Sequence, residues 1–275
     1  MWYNILLAAL FGVLEGITEW LPVSSTGHLI LLENFVRFPV REDFFELFEV
    51  VIQLGAILAV VVLYFRTLNP FSPRKSRAER RDTWHLWGLV LLAALPSALL
   101  GLLLDDLLDT YLYNAATVCV TLVLYGALFI LIEKRRKTIP STGQIQDITP
   151  HTALCIGAFQ VLSLIPGTSR SGATVLGGLL LGLARPAAAE FSFFLGIPTM
   201  VGASALKGAK FFLHGNLLSH EEILMLSAGT LAAFLTSTLT IRALLGFVRR
   251  HSFAAFGIYR IILGTVVLGY FVLIG

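Results

Sequence analysis

Two polar stretches interrupt an otherwise apolar chain, and they carry the residue types that acid–base chemistry and anion binding require. The first, residues 15–28, contains two carboxylates, a cluster of hydroxyls and a histidine. The second, residues 166–174, contains a cluster of hydroxyls and an arginine. Ionisable groups within apolar sequence are costly in a membrane protein, so they indicate function by default. The alternative for the first stretch is a short surface loop between two ordinary helices.

Glu15 and Glu19 are four residues apart, so on a helix they share one face. Two carboxylates on one face repel when both are ionised, and they would then share a proton or bind a divalent cation. The spacing therefore makes Glu15 and Glu19 candidate metal ligands as well as candidate acid–base groups.

The hydroxyl clusters predict an anion site. Ser24, Ser25 and Thr26 precede an apolar segment, and backbone N–H groups at a helix start, together with hydroxyls, bind anions. The second stretch repeats this arrangement and adds Arg170, whose planar fork suits phosphate oxygens. Neither stretch ends in the Gly-Lys-Ser/Thr of a P-loop, which argues against nucleotide binding. The candidate substrate-binding residues are Ser24, Thr26, Gly27, Gly167, Thr168, Ser169, Ser171 and Thr174.

A nucleophile and its base are predicted within the first stretch. Ser25 and His28 are three residues apart, a spacing that brings them to one face of a helix, so His28 could take the Ser25 proton. The rival is direct attack by water, with Ser25 only donating a hydrogen bond. A structural role for His28 is also open. The candidate catalytic residues are Glu15, Glu19, Ser25, His28 and Arg170.

Four other polar residues inside or beside apolar segments are candidates to line a polar cavity. They are Glu49, Gln53, Gln160 and Glu190. The alternative for each is a structural hydrogen bond to the opposite polar stretch, and for the two glutamines this alternative is preferred.

Composition predicts a polytopic membrane protein that forms one domain over residues 1–275. Hydrophobic residues make up 56% of the chain and charged residues only 13%, whereas soluble domains have roughly twice that charged fraction. The net charge of +3 is small, and the basic residues cluster in a few loops. This distribution argues for membrane orientation and against nucleic-acid binding.

Six apolar segments are long enough to span a membrane, which takes about 20 residues. They are 44–65, 86–104, 115–132, 187–206, 223–245 and 253–274. The basic segments 66–82, 134–137 and 249–251 are predicted to be cytoplasmic, and an acidic loop at 105–109 is predicted outside.

The apolar runs around the two polar stretches are too short to span. Residues 5–14 and 29–36 flank the first stretch, and the second lies within 153–183. Short runs broken by Pro and Gly predict two re-entrant helical hairpins, which membranes tolerate only when the backbone is buried in protein or lines a wet cavity. The fold class is therefore all-α, with six transmembrane helices and two re-entrant hairpins.

The halves 1–137 and 150–275 resemble each other weakly. Each contains a hairpin followed by a Glu and then a Leu-Gly pair, at 49–55 and 190–196. The first hairpin would start outside and the second inside, which predicts an inverted-topology repeat with a site near the midplane. Chance similarity between Leu-rich segments is the alternative.

At these residues the chain resembles the undecaprenyl-diphosphate phosphatase family, integral-membrane enzymes associated with bacitracin resistance. The matching motifs are Glu-x-x-x-Glu at 15–19, Pro-Val-Ser-Ser-Thr-Gly-His at 22–28, and Pro-Gly-Thr-Ser-Arg-Ser-Gly-Ala-Thr at 166–174. Phe-Glu-Val-Val-Ile-Gln-Leu-Gly at 48–55 and Glu-Phe-Ser-Phe at 190–193 also match.

The resemblance implies hydrolysis of a C55 isoprenyl diphosphate to the monophosphate and phosphate, which recycles the lipid carrier of peptidoglycan synthesis. It also implies a bacterial plasma-membrane location, a site facing the periplasm, and use of Mg²⁺ or Ca²⁺. A polyprenyl-phosphate transporter or flippase is the alternative, because inverted repeats with broken helices are a transporter architecture. The expected partners are the polyprenyl diphosphate and membrane lipids, and a homodimer is left open.

Overall fold

The computed structural model describes residues 1–36, 38–112, 114–136 and 143–274, and within them the regular elements are helices. Eleven α-helices occur in these residues: α1 Trp2–Thr18, α2 Ser25–Phe35, α3 Glu42–Leu63, α4 Phe65–Leu68, α5 Arg77–Leu112, α6 Ala115–Arg136, α7 Pro150–Val161, α8 Arg170–Leu180, α9 Arg185–Leu213, α10 His220–Val248 and α11 Ala254–Ile274. Short 3₁₀ turns at Ile145–Asp147 and Leu162–Leu164 precede and follow α7.

Six of the described helices are long and apolar enough to cross a membrane, which confirms the predicted number of spans at the level of length and composition. They are α3, α5, α6, α9, α10 and α11. The helices α1 and α7 are apolar but shorter. The chain is therefore a multi-pass α-helical membrane protein.

The acidic loop predicted at 105–109 is wrong, because α5 continues as a helix to Leu112. No glycine or proline occurs between residues 102 and 112 to stop the helix, and the leucines there have high helix propensity. Between the predicted halves 1–137 and 150–275, the chain is described only from Gly143 onward, and residues 137–142 lie outside the described part.

Each short helix that leads into a polar stretch packs against a long helix of the other half: α1 against α10, and α7 against α5. Small residues allow these close crossings, because without a side chain two backbones can touch. A Cβ on Gly12 would lie 2.1 Å from the carbonyl oxygen of Gly229, and a Cβ on Gly157 would lie 2.3 Å from that of Ala93. These close crossings fix the positions of α1 and α7, the helices that lead into the polar stretches.

Gly12→Ala is expected to destabilise the protein by about 2 kcal/mol or more, because the methyl group cannot fit between the α1 and α10 backbones without separating them. Thermal unfolding of the purified protein in detergent micelles measures the change. Gly88→Ala on α5 is the matched control, since a Cβ there meets nothing within 4 Å. An unfolding temperature for Gly12→Ala equal to that of the control would contradict the close crossing.

Candidate active site

The two polar stretches form turns of the same local geometry, each ending at a serine that caps the next helix. Ser24 and Ser169 have φ of 74° and 70°, and they are the non-glycine residues with positive φ in the described chain. Each side chain accepts a hydrogen bond from the amide three residues on, Gly27 at 3.3 Å and Gly172 at 3.1 Å. Non-glycine residues in this region are strained and cluster at functional sites.

The helices that begin at these caps, α2 and α8, converge on the Glu19 carboxylate. Their first residues are Ser25 and Arg170. The Ser25 hydroxyl donates to Glu19 Oε2 at 2.9 Å, and Arg170 donates to Glu19 Oε1 from Nη2 at 3.0 Å and from Nε at 3.3 Å. Two helix N-termini, which favour anions, therefore meet at one carboxylate, one hydroxyl and one guanidinium.

The Arg170 guanidinium occupies a slot built by α9. Its Nη1 donates to the carbonyl oxygen of Ser192 at 2.7 Å, and the Trp20 ring centroid lies 5.8 Å from Cζ. Gly196 leaves the space for it, because a Cβ there would lie 2.9 Å from Cζ. The Arg170 side chain is mostly buried, so its guanidinium group has a fixed orientation.

Two predicted substrate-binding hydroxyls are used by the protein itself. Ser171 Oγ donates to the carbonyl oxygen of Glu19 at 2.9 Å, which ties the second turn to the first. Thr174 Oγ1 donates to the Arg170 carbonyl at 2.9 Å and shares a hydrogen bond with Ser192 Oγ at 2.7 Å. These hydroxyls join the turns and helices around Arg170, so their geometry supports a positioning role.

In the described part of the chain, Ser25 and His28 do not form the hydrogen-bonded pair that their spacing predicts. His28 Nδ1 donates to the Ser24 carbonyl at 2.7 Å, and Nε2 lies 2.7 Å from the Tyr259 hydroxyl of α11. The two rings are nearly parallel, with an angle of 3° between their planes. Ser25 instead points to Glu19, because the turn before α2 folds back toward the end of α1. The Ser25 hydroxyl therefore donates its hydrogen bond to Glu19 and not to His28.

Glu15 lies one helical turn before Glu19 and is 0% exposed. Both of its carboxylate oxygens lack a hydrogen-bond partner among the described residues. Its charged neighbours are Glu19, Glu49 and Arg170. A buried carboxyl group without partners needs a proton or a cation to be stable. Glu15 and its neighbour Glu49 thus lie near the Glu19 carboxylate.

The other predicted residues divide between the turns and more distant positions. Gly167, with φ of 82°, and Thr168 form the second turn, whereas Gly27 and the half-buried Thr26 lie in the first turn of α2. Gln160 is fully buried and donates to Ser97 Oγ.

Glu190 and Gln53 are both half-buried. The charged and titratable neighbours of Glu190 are Tyr64 and Arg249. Gln160 thus makes a structural hydrogen bond, although its partner lies in α5 and not in the opposite polar stretch, and Glu190 contributes to a separate polar group.

Arg260 of α11 is a part of the site that the sequence analysis missed. It is 0% exposed and donates to carbonyl oxygens of both turns: Pro22 at 3.2 Å, Gly167 at 2.7 Å and Thr168 at 3.0 Å. A signal was present, because Arg260 is the single charged residue in the apolar segment 254–274, and intramembrane charges indicate function.

Glu15 and Glu19 are the residues that could supply carboxylate ligands to a divalent cation. The described residues include no group of three or more His, Cys, Asp or Glu side chains placed to hold a metal ion. Glu15, however, offers two unpartnered carboxylate oxygens. Mg²⁺ is usually held by one or two carboxylates together with substrate phosphates. The residues therefore fit a cation that arrives with a phosphate ligand.

A hydroxyl, a carboxylate and an arginine between two helix N-termini suit phosphate groups, and the multi-pass α-helical chain that carries them defines a membrane protein with an anion site. The particular family follows from comparison with known sequences. The chain belongs to the family described as "Bacitracin resistance protein BacA", whose profile matches residues 8–266.

Three curated relatives are similar over nearly their whole length, and each is named undecaprenyl-diphosphatase. The protein of Enterococcus faecalis is 54% identical over 268 residues, 97% of this chain and 97% of its own. That of Lactiplantibacillus plantarum is 53% identical over 272 residues, 98% and 99% of the two chains. That of Limosilactobacillus fermentum is 51% identical over 272 residues, with the same coverage.

Proposed function

We propose that this protein hydrolyses undecaprenyl diphosphate to undecaprenyl phosphate and inorganic phosphate, and so recycles the lipid carrier for peptidoglycan synthesis. The observation that carries the proposal is the Glu19 carboxylate between the Ser25 hydroxyl and the Arg170 guanidinium. A nucleophile, its base and an anion clamp are thereby in direct contact. The names of the relatives and the apolar helices around the site support a lipid diphosphate as the substrate class.

Binding would begin with the terminal phosphate seated between the starts of α2 and α8. Amide groups of the first turns and the Arg170 fork donate to its oxygens, as helix N-termini and guanidinium groups do for phosphate. Since Arg170 Nε and Nη2 now point to Glu19, a phosphate that takes these donors leaves Glu19 free to accept a proton. The apolar tail would remain among the spanning helices.

The chemical step we favour is attack by Ser25 on the terminal phosphorus. The Ser25 oxygen forms a bond to phosphorus, its proton passes to Glu19, and the bond from phosphorus to the bridging oxygen breaks to release the lipid monophosphate. Water then attacks the phosphoserine: its oxygen bonds to phosphorus and the bond from phosphorus to Ser25 Oγ breaks. Glu19 returns its proton to Oγ and takes one from the water, and inorganic phosphate leaves with that proton. Arg170 stabilises the charge on the transferring group in both steps. In the rival route, Glu19 takes the proton of a water molecule that attacks directly.

A divalent cation, Mg²⁺ or Ca²⁺, would be held by Glu15 and Glu19 together with diphosphate oxygens. When bound, it would neutralise phosphate charge. The supporting observation is the buried and unpartnered carboxylate of Glu15.

Phosphate release by purified protein in detergent micelles tests the function, with undecaprenyl diphosphate as substrate. A transporter or flippase needs a membrane to cross, so it predicts no phosphate release in micelles. The absence of release, together with movement of the lipid across vesicles, would contradict the phosphatase and favour the alternative. The Glu19→Gln variant is the negative control, because it removes the proposed base.

Ser25→Ala is expected to lower kcat more than a hundredfold while the substrate still binds, because the covalent route loses its nucleophile. Rapidly quenched wild-type protein should carry phosphate on Ser25, as detected by mass spectrometry. Ser227→Ala is the control, since Ser227 is exposed and its hydroxyl donates to the Ile223 carbonyl within α10. Residual turnover within about a hundredfold of wild type, without trapped phosphate, would favour the water route.

The finer architecture is also part of the proposal: two re-entrant hairpins, α1–α2 and α7–α8, in halves related by an inverted repeat. The matched caps at Ser24 and Ser169 and the reciprocal packing of α1 on α10 and α7 on α5 support it. The Arg-rich segment 66–82 is assigned to the cytoplasm of a bacterial plasma membrane, and the site to the periplasmic side. Accessibility of single cysteines to a membrane-impermeant thiol reagent tests this orientation.

A further inference from the structure

Arg260 is a charged residue in the apolar helix α11, and its side chain is completely buried. Its guanidinium contacts three backbone carbonyl oxygens, one from the turn before α2 and two from the turn before α8. A charge at this depth is expensive, so a residue that performed only packing would be better served by an aliphatic side chain.

The broken helices create the need that Arg260 meets. A turn at membrane depth exposes carbonyl groups that have no helical partner, and each must be satisfied inside the protein. Arginine offers five N–H donors in a rigid plane, so one side chain can serve acceptors from two segments at once. The Tyr125 ring lies 5.6 Å from Cζ and stabilises the charge from one face.

The same contacts place Arg260 directly behind the proposed phosphate site. A Cβ added to Gly172 would lie 3.2 Å from Arg260 Nη1, so the guanidinium touches the first turn of α8. That turn begins with Arg170. The separation between the two turns is therefore set by Arg260 through their carbonyls and by the Ser171 hydroxyl bond to Glu19.

Thr121 of α6 supports the same group of carbonyls. Its hydroxyl lies 2.8 Å from the carbonyl oxygen of Pro166, which neighbours the Gly167 carbonyl that Arg260 holds, and it shares its proton with carbonyl oxygens of α6 at 2.9 and 3.0 Å. The helices α6 and α11 pack against each other, and they contact the second turn through Thr121 and Arg260. The packed pair of helices α6 and α11 therefore supports the turns from one side.

We propose that Arg260 is a positioning residue that holds the Ser25 turn and the Arg170 turn in register for phosphoryl transfer. This inference rests on the proposed phosphatase function, because register between nucleophile and clamp matters only if both act on one phosphate. Small displacements of such groups lower the rate of the chemical step more than substrate binding.

The test uses the full-length protein in micelles and compares Arg260→Lys with Arg242→Lys, an exposed arginine of α10. Lysine keeps the charge but cannot reach both turns with a planar fork. Per folded molecule, Arg260→Lys is expected to lower kcat about tenfold or more and to change KM by less than about threefold. Arg242→Lys is expected to match wild type in both constants.

Thr121→Val is a milder second variant that removes one turn contact without altering charge or volume. We expect it to lower kcat several-fold with little change in KM, and it carries the test if Arg260→Lys does not fold. A wild-type kcat per folded molecule in Arg260→Lys, or in Thr121→Val where the first cannot be purified, would overturn the proposal, even with a lower unfolding temperature. A rise confined to KM would overturn it as well. If wild-type protein releases no phosphate, the proposed function fails first and separately.

Discussion

Arg170→Lys is expected to lower kcat/KM by about a hundredfold or more, although the positive charge is kept. The guanidinium uses three nitrogens at once: Nη1 bonds the Ser192 carbonyl, and Nε and Nη2 face the Glu19 carboxylate. A lysine ammonium is a single point and cannot hold the α9 backbone while presenting two parallel donors to phosphate. Initial rates of phosphate release over a range of substrate concentrations measure the loss.

Arg170→Lys also removes donors from the buried Ser192 carbonyl and the Glu19 carboxylate, so a lower unfolding temperature is expected beside the loss of activity. Turnover is therefore measured per folded molecule, and Arg242→Lys serves again as the exposed control. Turnover of Arg170→Lys within a few-fold of wild type would exclude the clamp role.

Glu19→Gln is expected to lower kcat by about a thousandfold, because general acid–base groups contribute roughly 10²- to 10⁴-fold and Gln cannot accept the Ser25 proton. The amide has nearly the same shape, so the change isolates the charge and the basicity of the group. Glu15→Gln should have a smaller effect, since Glu19 contacts Ser25 directly and Glu15 lies one helical turn before Glu19. The rate constants of both variants are measured on protein of known folded fraction.

Glu133→Gln provides a matched control for the loss of a buried carboxylate paired with arginine. Glu133 bonds Arg185 at 2.6 Å and accepts the Phe253 amide at 3.0 Å, on other elements than the site. It should lower the unfolding temperature without lowering kcat per folded molecule.

The assignment of the two site carboxylates, Glu15 and Glu19, is reversed if Glu15→Gln is inactive and Glu19→Gln is active.

The residues that assemble the site could largely be predicted from the sequence, because polar groups inside apolar segments are conspicuous. Glu19, Ser25 and Arg170 were selected for that reason, and the structure brings them into contact. The pairing within the site could not be predicted in the same way. The i,i+3 rule favoured Ser25 with His28, but it holds only within a helix, and Ser25 lies at the first position of α2, where the preceding turn directs its hydroxyl toward Glu19.

The supporting contacts were beyond sequence reasoning for a different physical reason. Ser171, Thr174 and Arg260 bond to groups at least 18 residues away in sequence or on another helix. Their partners depend on how the helices cross, which short-range periodicity does not encode. At α5 the opposite holds: the acidic residues after Leu104 predict a loop, whereas local helix propensity continues the helix to Leu112.

The unpartnered Glu15 carboxylate has a consequence for how the substrate can enter. With both carboxylates ionised, Glu15 and Glu19 balance Arg170 and Arg260, so a diphosphate would add uncompensated negative charge to a poorly solvated region. Entry of the substrate is then thermodynamically linked to uptake of a proton or a cation. Glu15 can receive it, because its carboxylate oxygens lack a hydrogen-bond partner among the described residues. By reciprocity, whatever raises the occupancy of Glu15 must tighten substrate binding by the same factor. If a proton or a cation fills Glu15 in this way, the affinity for the lipid diphosphate depends on pH or on the cation concentration.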